Sequence, residues 1–208
     1  RFHEDYDGII YITIGSGFSA CYQNATLAAE DYPKVRVIDS QNLSSGQGLV
    51  VLKACELART AADLDELAET LRAFTEKVEA SFLVDKLDYL VKGGRCSSAA
   101  ALGANLLNLK PCIEVKNGKM GVGKKYRGKI HKAIHDYIRD LEPGLKNAKP
   151  DRVFITHSGC EQDILDDVYN YLKELNIFDE ILITRAGGVI SSHCGPGTLG
   201  VLYIEKKM

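Results

Sequence analysis

Twice within the first sixty residues, a β-branched apolar run stops at a small polar turn and gives way to a helical pattern. That repetition constrains the fold more than any other feature of the chain. Ile9-Ile10-Tyr11-Ile12-Thr13-Ile14 ends at Gly15-Ser16-Gly17, and Ser19 is then placed as the N-cap of a helix running through Ala25 and Leu27 towards Glu30. Val35-Arg36-Val37-Ile38-Asp39 forms the second strand pattern and ends at Ser40. Beyond the Ser44-Ser45-Gly46 turn, an apolar helix passes through Leu49, Leu52 and Leu57. Two strand–turn–helix units in succession predict a parallel sheet in an α/β layer.

Asp63 and Glu66 form a capping-box-like pair that opens a third helix, with apolar residues at 64, 67, 68, 71, 74 and 78. From Phe82 to Pro111 the texture changes. A Gly93-Gly94-Arg95 turn precedes an Ala/Leu-rich stretch from Ala99 to Leu109. Cys112 to Val115 and Lys119 to Val122 then flank Asn117-Gly118, the strongest short-range hairpin signal. A basic helix (Lys129 to Leu141), a strand (Arg152 to Thr156), a helix (Glu161 to Leu175) and two strands (Ile181 to Thr184, Leu199 to Ile204) complete the pattern. The expected fold class is α/β. It comprises a parallel-sheet α/β amino-terminal domain over residues 1–85 and an α+β carboxy-terminal domain with a hairpin over residues 86–208.

The chain has 208 residues, with 26 Lys+Arg against 28 Asp+Glu and 45% hydrophobic residues, so it can bury a sizeable core. Near-neutral charge argues against a general nucleic-acid binder, which needs a cationic surplus to displace counterions. No apolar run reaches the roughly 18 residues that span a bilayer. The six cysteines are scattered without a C-x-x-C pair, and predict reduced thiols in a cytoplasmic protein. The sequence opens at Arg1 and enters a strand pattern within a few residues, as a protein joined partway through would.

Several features resemble sites. Gly118 to Lys125 imitates a phosphate-binding P-loop up to Lys124, but Lys125 stands where a Ser or Thr should hold Mg²⁺, and the segment lies between two strand-like runs. His131 and His135 are spaced to share a metal on a helix, yet no third ligand is signalled nearby, so surface histidines are expected and no metal. Lys124, Lys125, Arg127, Lys129, His131 and Lys132 make a basic patch, either a solvated face or a docking surface for an anionic partner. Two loops are more informative. Gly15-Ser16-Gly17-Phe18-Ser19 sets two hydroxyls and free backbone N–H groups at a helix N-terminus, where anions are attracted. Ser191 to Gly197 adds two hydroxyls and the His193 imidazole on a loop that Gly and Pro hold in one shape. Together they contain the parts of a carboxylate or small-anion pocket, or of a Ser–His hydrolase, although the glycines are out of register for a G-x-S-x-G nucleophile elbow.

As a pair, these loops resemble those of the DegV family of bacterial fatty-acid-binding proteins. Ser16 to Ala25 is similar to the family's S-x-L-S-G-T-Y-Q-x-A segment, and Val37-Ile38-Asp39-Ser40 to its following strand. Tyr89-Leu90-Val91-Lys92-Gly93-Gly94-Arg95 resembles L-x-Y-L-x-K-G-G-R, and Leu106 to Pro111 with Gly118-Lys119 resembles L-L-N-I-K-P…G-K. Ser192 to Gly200 is similar to T-H-T-G-P-G-A-L-G. Ala20 and Cys21 replace Gly and Thr, Cys96 replaces an aliphatic residue, and Ser191, Ser192 and Cys194 replace Gly, Thr and Thr. The family begins with a strand and a Ser/Thr-rich loop that nothing here matches, so the expectation is a segment either removed or carried by another chain.

The resemblance implies a long-chain fatty acid buried between two domains and handed to a separate fatty acid kinase. On that reading the protein is a carrier without catalytic residues, and the fatty acid is its ligand in place of any cofactor. Ser16, Ser19 and His193 would hold the carboxylate, Arg95 would reinforce them or brace its turn, and Arg127 would contact the kinase.

Overall fold

The computed structural model describes residues 6–96 and 109–206. The Ala/Leu-rich stretch up to residue 108, and with it the first half of the Leu106–Pro111 motif, lies outside the described residues. The chain divides into two compact units. One reaches to Val78 and includes Asn117–Lys119; the other comprises Glu79–Lys116 and continues from Met120. The break falls before residue 85.

In the first unit, β1 (Ile9–Thr13) and β2 (Val35–Asp39) pair in parallel, with Ile9 opposite Val35 and Thr13 opposite Asp39. The helices α1 (Cys21–Ala29), α2 (Ser44–Leu57) and α3 (Leu64–Thr75) belong to the same unit. Ile38, Leu49, Val50, Ala68 and Leu71 are its most deeply buried apolar residues. The start of α3 follows from its sequence. Asp63 accepts hydrogen bonds from the amides of Asp65 and Glu66, both at 2.9 Å, while Glu66 reaches back to the amide of Ala62 at 2.8 Å. These bonds satisfy donors that the helix itself cannot.

The second unit contains β3 (Val78–Leu83, all but its first residue), α4 (Asp88–Gly93), β4 (Leu109–Lys116), β5 (Lys119–Arg127), α5 (Ile130–Lys146), β6 (Ala148–Ser158), α6 (Gln162–Glu174), β7 (Glu180–Arg185), α7 (Gly188–Cys194) and β8 (Thr198–Glu205). Its six strands run in the order β5-β4-β3-β8-β6-β7. β6 is parallel to β7 but antiparallel to β8, and β3 is antiparallel to β4, so the sheet is mixed. Asn117 and Gly118 join β4 to β5 with φ of 50° and 69°, the two positive values that a type I′ hairpin turn requires. The core forms where Ile134, Tyr137 and Ile138 of α5 and Leu165, Val168 and Leu172 of α6 meet Val153, Ile155 and Val201 of the sheet.

Tyr137 is fully buried with its hydroxyl at a three-way junction. It donates to the carbonyl of Ser81 at 2.9 Å, lies 2.9 Å from the Ser81 hydroxyl, and accepts the amide of Val201 at 3.2 Å. Burial drives its ionisation far above the ordinary tyrosine range. Ser81 is on β3 and Val201 on β8, so one side chain of α5 bridges the middle of the sheet.

Two local expectations are corrected. The third helix stops at Thr75, and Val78 opens the strand β3, whose alternating burial answers to the Val-Glu-Ala-Ser-Phe-Leu sequence. Ser19 is not the N-cap of α1. Ala20 holds that place, and the Ser19 hydroxyl accepts the amide of Cys21 at 3.2 Å from one residue earlier. No helix among the described residues is long and apolar enough to cross a membrane.

Candidate functional site

The loop after β1 is shaped by the loop after β2. The Asp39 carboxylate accepts the amides of Ser16 at 3.1 Å and Gln41 at 2.8 Å, and the amide of Gly15 donates to the carbonyl of Asn42 at 2.8 Å. Ser40 closes its own turn by accepting the amide of Asn42 at 3.2 Å and donating to its carbonyl at 3.0 Å. A side chain at Gly15 would meet Phe18 and the backbone of Asn42, and one at Gly17 would collide with the carbonyl of Gly118. These contacts leave Ser16 exposed and Ser19 half-buried at the start of α1. The Ser19 hydroxyl also lies 3.0 Å from the Cys21 sulfur. Cysteine in place of threonine thus gives Ser19 a soft neighbour where a hydroxyl would have stood.

In the second unit, two segments a hundred residues apart in sequence come together. His193 lies in the last turn of α7 and not on an open loop, because Ser191, Ser192 and Cys194 carry on the helix and only Gly195-Pro196-Gly197 turns. Gly195 and Gly197 have φ of 78° and 74°, a region that glycine enters without strain. The backbone of Gly93, at the end of α4, passes directly beneath His193, where a Cβ would collide with the ring nitrogen Nδ1. A Cβ at Gly195 would likewise collide with the Tyr89 ring. The Gly93-Gly94-Arg95 turn and the His193-Cys194-Gly195 turn therefore fit only because both carry glycine. Gly94 caps α4 in the left-handed conformation, and Arg95 donates to the carbonyl of Gly93 at 2.8 Å, so Arg95 braces this turn from the surface.

The hydroxyls beside His193 have local partners. Ser191 donates to the carbonyl of Ala186 at 3.0 Å, and Ser192 to that of Val189 at 2.8 Å. Among the described residues, no serine hydroxyl bonds to His193.

The basic patch separates into two populations. Lys124 pairs with Asp140, Lys132 with Asp136 at 2.6 Å, and His131 with Asp167 at 2.7 Å. Lys125, Arg127 and Lys129 are exposed around the end of β5. Gly118 to Lys125 runs from a hairpin turn into a strand, so it lacks the strand-to-helix geometry of a P-loop. Each unit also has a concavity. An open groove of about 470 Å³ in the first is lined by Tyr11, Cys21, Ala25 and Val37, and one of mixed lining and about 340 Å³ in the second by Ser81, Cys112, Glu114, Tyr126 and Asp140. None of the five residues singled out in the sequence lines either.

A family model described as "Uncharacterised protein, DegV family" matches residues 1–206. The chain belongs to the DegV family. A "Fatty acid-binding protein" of Thermotoga maritima is 34% identical over 210 aligned residues, covering 98% of this chain and 72% of the relative. A solved DegV family protein from Thermus thermophilus, described with its fatty acid binding, superposes with a TM-score of 0.87 at 30% identity, covering 97% of this chain and 72% of that one. DegV of Bacillus subtilis, solved as a fatty acid binding protein, gives 0.84 at 29% identity over 99% of this chain and 73% of its own.

Proposed function

We propose that this DegV protein binds a long-chain fatty acid and presents its carboxylate, unreacted, to a separate fatty acid kinase. The observation that carries the reading is the glycine-dependent fit of His193 over the Gly93 turn, in a chain 34% identical to a fatty acid-binding relative. An imidazole held at a fixed place is what a carboxylate leaving water needs, because a buried charge without partners is costly. In the second unit His193 serves as that partner and Arg95 holds its turn. In the first unit Ser16 and Ser19 supply hydroxyls at the start of α1. Each buried CH₂ of the acyl tail adds about 0.8 kcal/mol.

A carrier role accords with the serines beside His193, whose hydroxyls are spent on backbone carbonyls instead of being activated by a base. The kinase is assigned to the exposed cations around Arg127, which an acyl tail has no use for but a phosphoryl-transfer partner does. Free thiols at all six cysteines suit a reducing, cytoplasmic setting.

The test is paired. Mass spectrometry of an organic extract of the purified protein should find fatty acid, and His193→Ala should lower its affinity, read by calorimetry, by roughly 1.5–3 kcal/mol. An unchanged affinity removes His193 from the site. Arg127→Ala should leave affinity intact and slow acyl-phosphate formation in a kinase-coupled assay; an equal loss of both would move Arg127 to the lipid headgroup.

A further inference from the structure

His131 and His135 stand four residues apart on α5, so their imidazoles share one face, with ring centroids 6.1 Å apart. The sequence around them signals no third ligand. The fold supplies one from the neighbouring helix: the Asp167 carboxylate of α6 lies with one oxygen 2.7 Å from Nε2 of His131 and 3.6 Å from Nε2 of His135. We propose that His131, His135 and Asp167 bind a first-row divalent transition ion such as Zn²⁺, which clips α5 to α6.

The convergence of both imidazoles on one oxygen is the decisive feature. A simple surface ion pair needs only one histidine, and exposed pairs of that kind contribute little to stability. Here both rings present Nε2 to the same atom, and all three ligand atoms lie within 4.8 Å of one another. In a tetrahedral zinc site with bonds of about 2.0–2.1 Å, ligand atoms stand roughly 3.3 Å apart. The His135 contact is already near that spacing, and the His131 contact must open by some tenths of an ångström. The side chains are 43%, 41% and 45% exposed, so small rotations accommodate the ion and leave water to complete its coordination.

The donor set chooses the ion. Two imidazole nitrogens and one carboxylate suit zinc, nickel, cobalt or copper, whereas magnesium and calcium prefer oxygen ligands. No glutamate between the histidines is placed to act as a general base, so the ion is assigned no hydrolytic step. Its effect is mechanical. Binding to the folded state alone stabilises that state by mass action, and this one would tie together two helices of the second unit.

The experiment uses the full chain without a polyhistidine tag, titrated calorimetrically with Zn²⁺, Ni²⁺ and, separately, Mg²⁺. One Zn²⁺ or Ni²⁺ per chain is expected, with no Mg²⁺ uptake and a rise in melting temperature on addition of Zn²⁺. His135→Ala and Asp167→Asn, judged folded by circular dichroism, should each weaken Zn²⁺ binding by about tenfold or more, which corresponds to at least about 1.4 kcal/mol. The Co²⁺ complex should show a nitrogen–oxygen spectrum without a thiolate charge-transfer band. Absent uptake, equal uptake in both variants, or a thiolate band assigning the ion to a cysteine would each overturn the proposal.

Discussion

In the second unit, α5 buries Ala133, Ile134, Tyr137, Ile138 and Leu145, and α6 buries Ile164, Leu165, Val168 and Leu172. In the first unit, α1 buries no residue at all; Leu27 is 66% exposed, and Tyr11 of β1 is 52% exposed. The loop after β1 takes its shape from hydrogen bonds among Ser16, Asp39, Ser40 and Asn42 together with close approaches at Gly15 and Gly17, where the turns around His193 depend on close approaches at Gly93 and Gly195. An element with few buried apolar contacts opens locally at low cost, whereas a helix anchored in a core opens only with it, which makes α1 the more pliable element and α5 and α6 the more rigid ones. Within the first unit, Ser19 precedes this pliable α1 while Ser40 and Asn42 beside its loop are buried; within the second, His193 lies on α7, in which Cys194 is buried.

Four measurements break or sharpen this contrast. Leu172→Ala, in the core of the second unit, should destabilise the chain by about 2–5 kcal/mol in denaturant unfolding. A cost below 1 kcal/mol would show that the core of that unit is loosely packed. Thiol labelling should divide along the same line. Burial pushes the Cys112 thiol up to about 12 and those of Cys160 and Cys194 up to about 11, while Cys21 and Cys55 are exposed in the first unit. Near pH 8, mass-resolved alkylation of Cys21 and Cys55 should run at least about tenfold faster than that of Cys112, Cys160 and Cys194, because burial both raises those three thiols and screens them from reagent. Uniform rates would erase the distinction. Asp63→Ala removes the acceptor for two amides at the start of α3 and should cost about 1 kcal/mol of stability, again by denaturant titration. Leu27→Ala, at an exposed position of α1, should change stability by less than about 0.5 kcal/mol. A larger loss would mean that α1 is packed more tightly than its exposure indicates.

The elements most legible in the sequence were those whose signal is local. Strands β1 and β2, the Asn117-Gly118 turn and the Asp63 cap each depend on a few adjacent residues, and all form where their patterns indicate. Strand β3 was masked because Val78 continues the apolar spacing of α3, four residues beyond Phe74, so one period hides the start of another. The loop assigned to His193 becomes a helix because Ser191 and Ser192 satisfy their hydroxyls on carbonyls of their own segment, a choice that composition does not reveal. Family motifs marked Gly93 and His193 separately, but only the packing of α4 on α7 shows that one excludes a side chain from the other's place. Asp167 had no signal at all near His131 and His135, since its approach depends on how two helices cross.

The Tyr137 junction bears on how this chain can change over generations. Replacing Tyr137 with Phe would take a hydrogen-bond partner from the carbonyl of Ser81 and from the amide of Val201 at one stroke, and replacing Ser81 with Ala would remove one of the three groups around the hydroxyl. A main-chain carbonyl and amide cannot be substituted away, so no exchange at position 81 alone prepares the ground for losing the phenol. Routes away from tyrosine at 137 are therefore blocked unless another side chain first brings a polar atom to the same spot. Position 137 is thereby tied to two strands at once, and a change there is felt by main-chain groups that no substitution can remove.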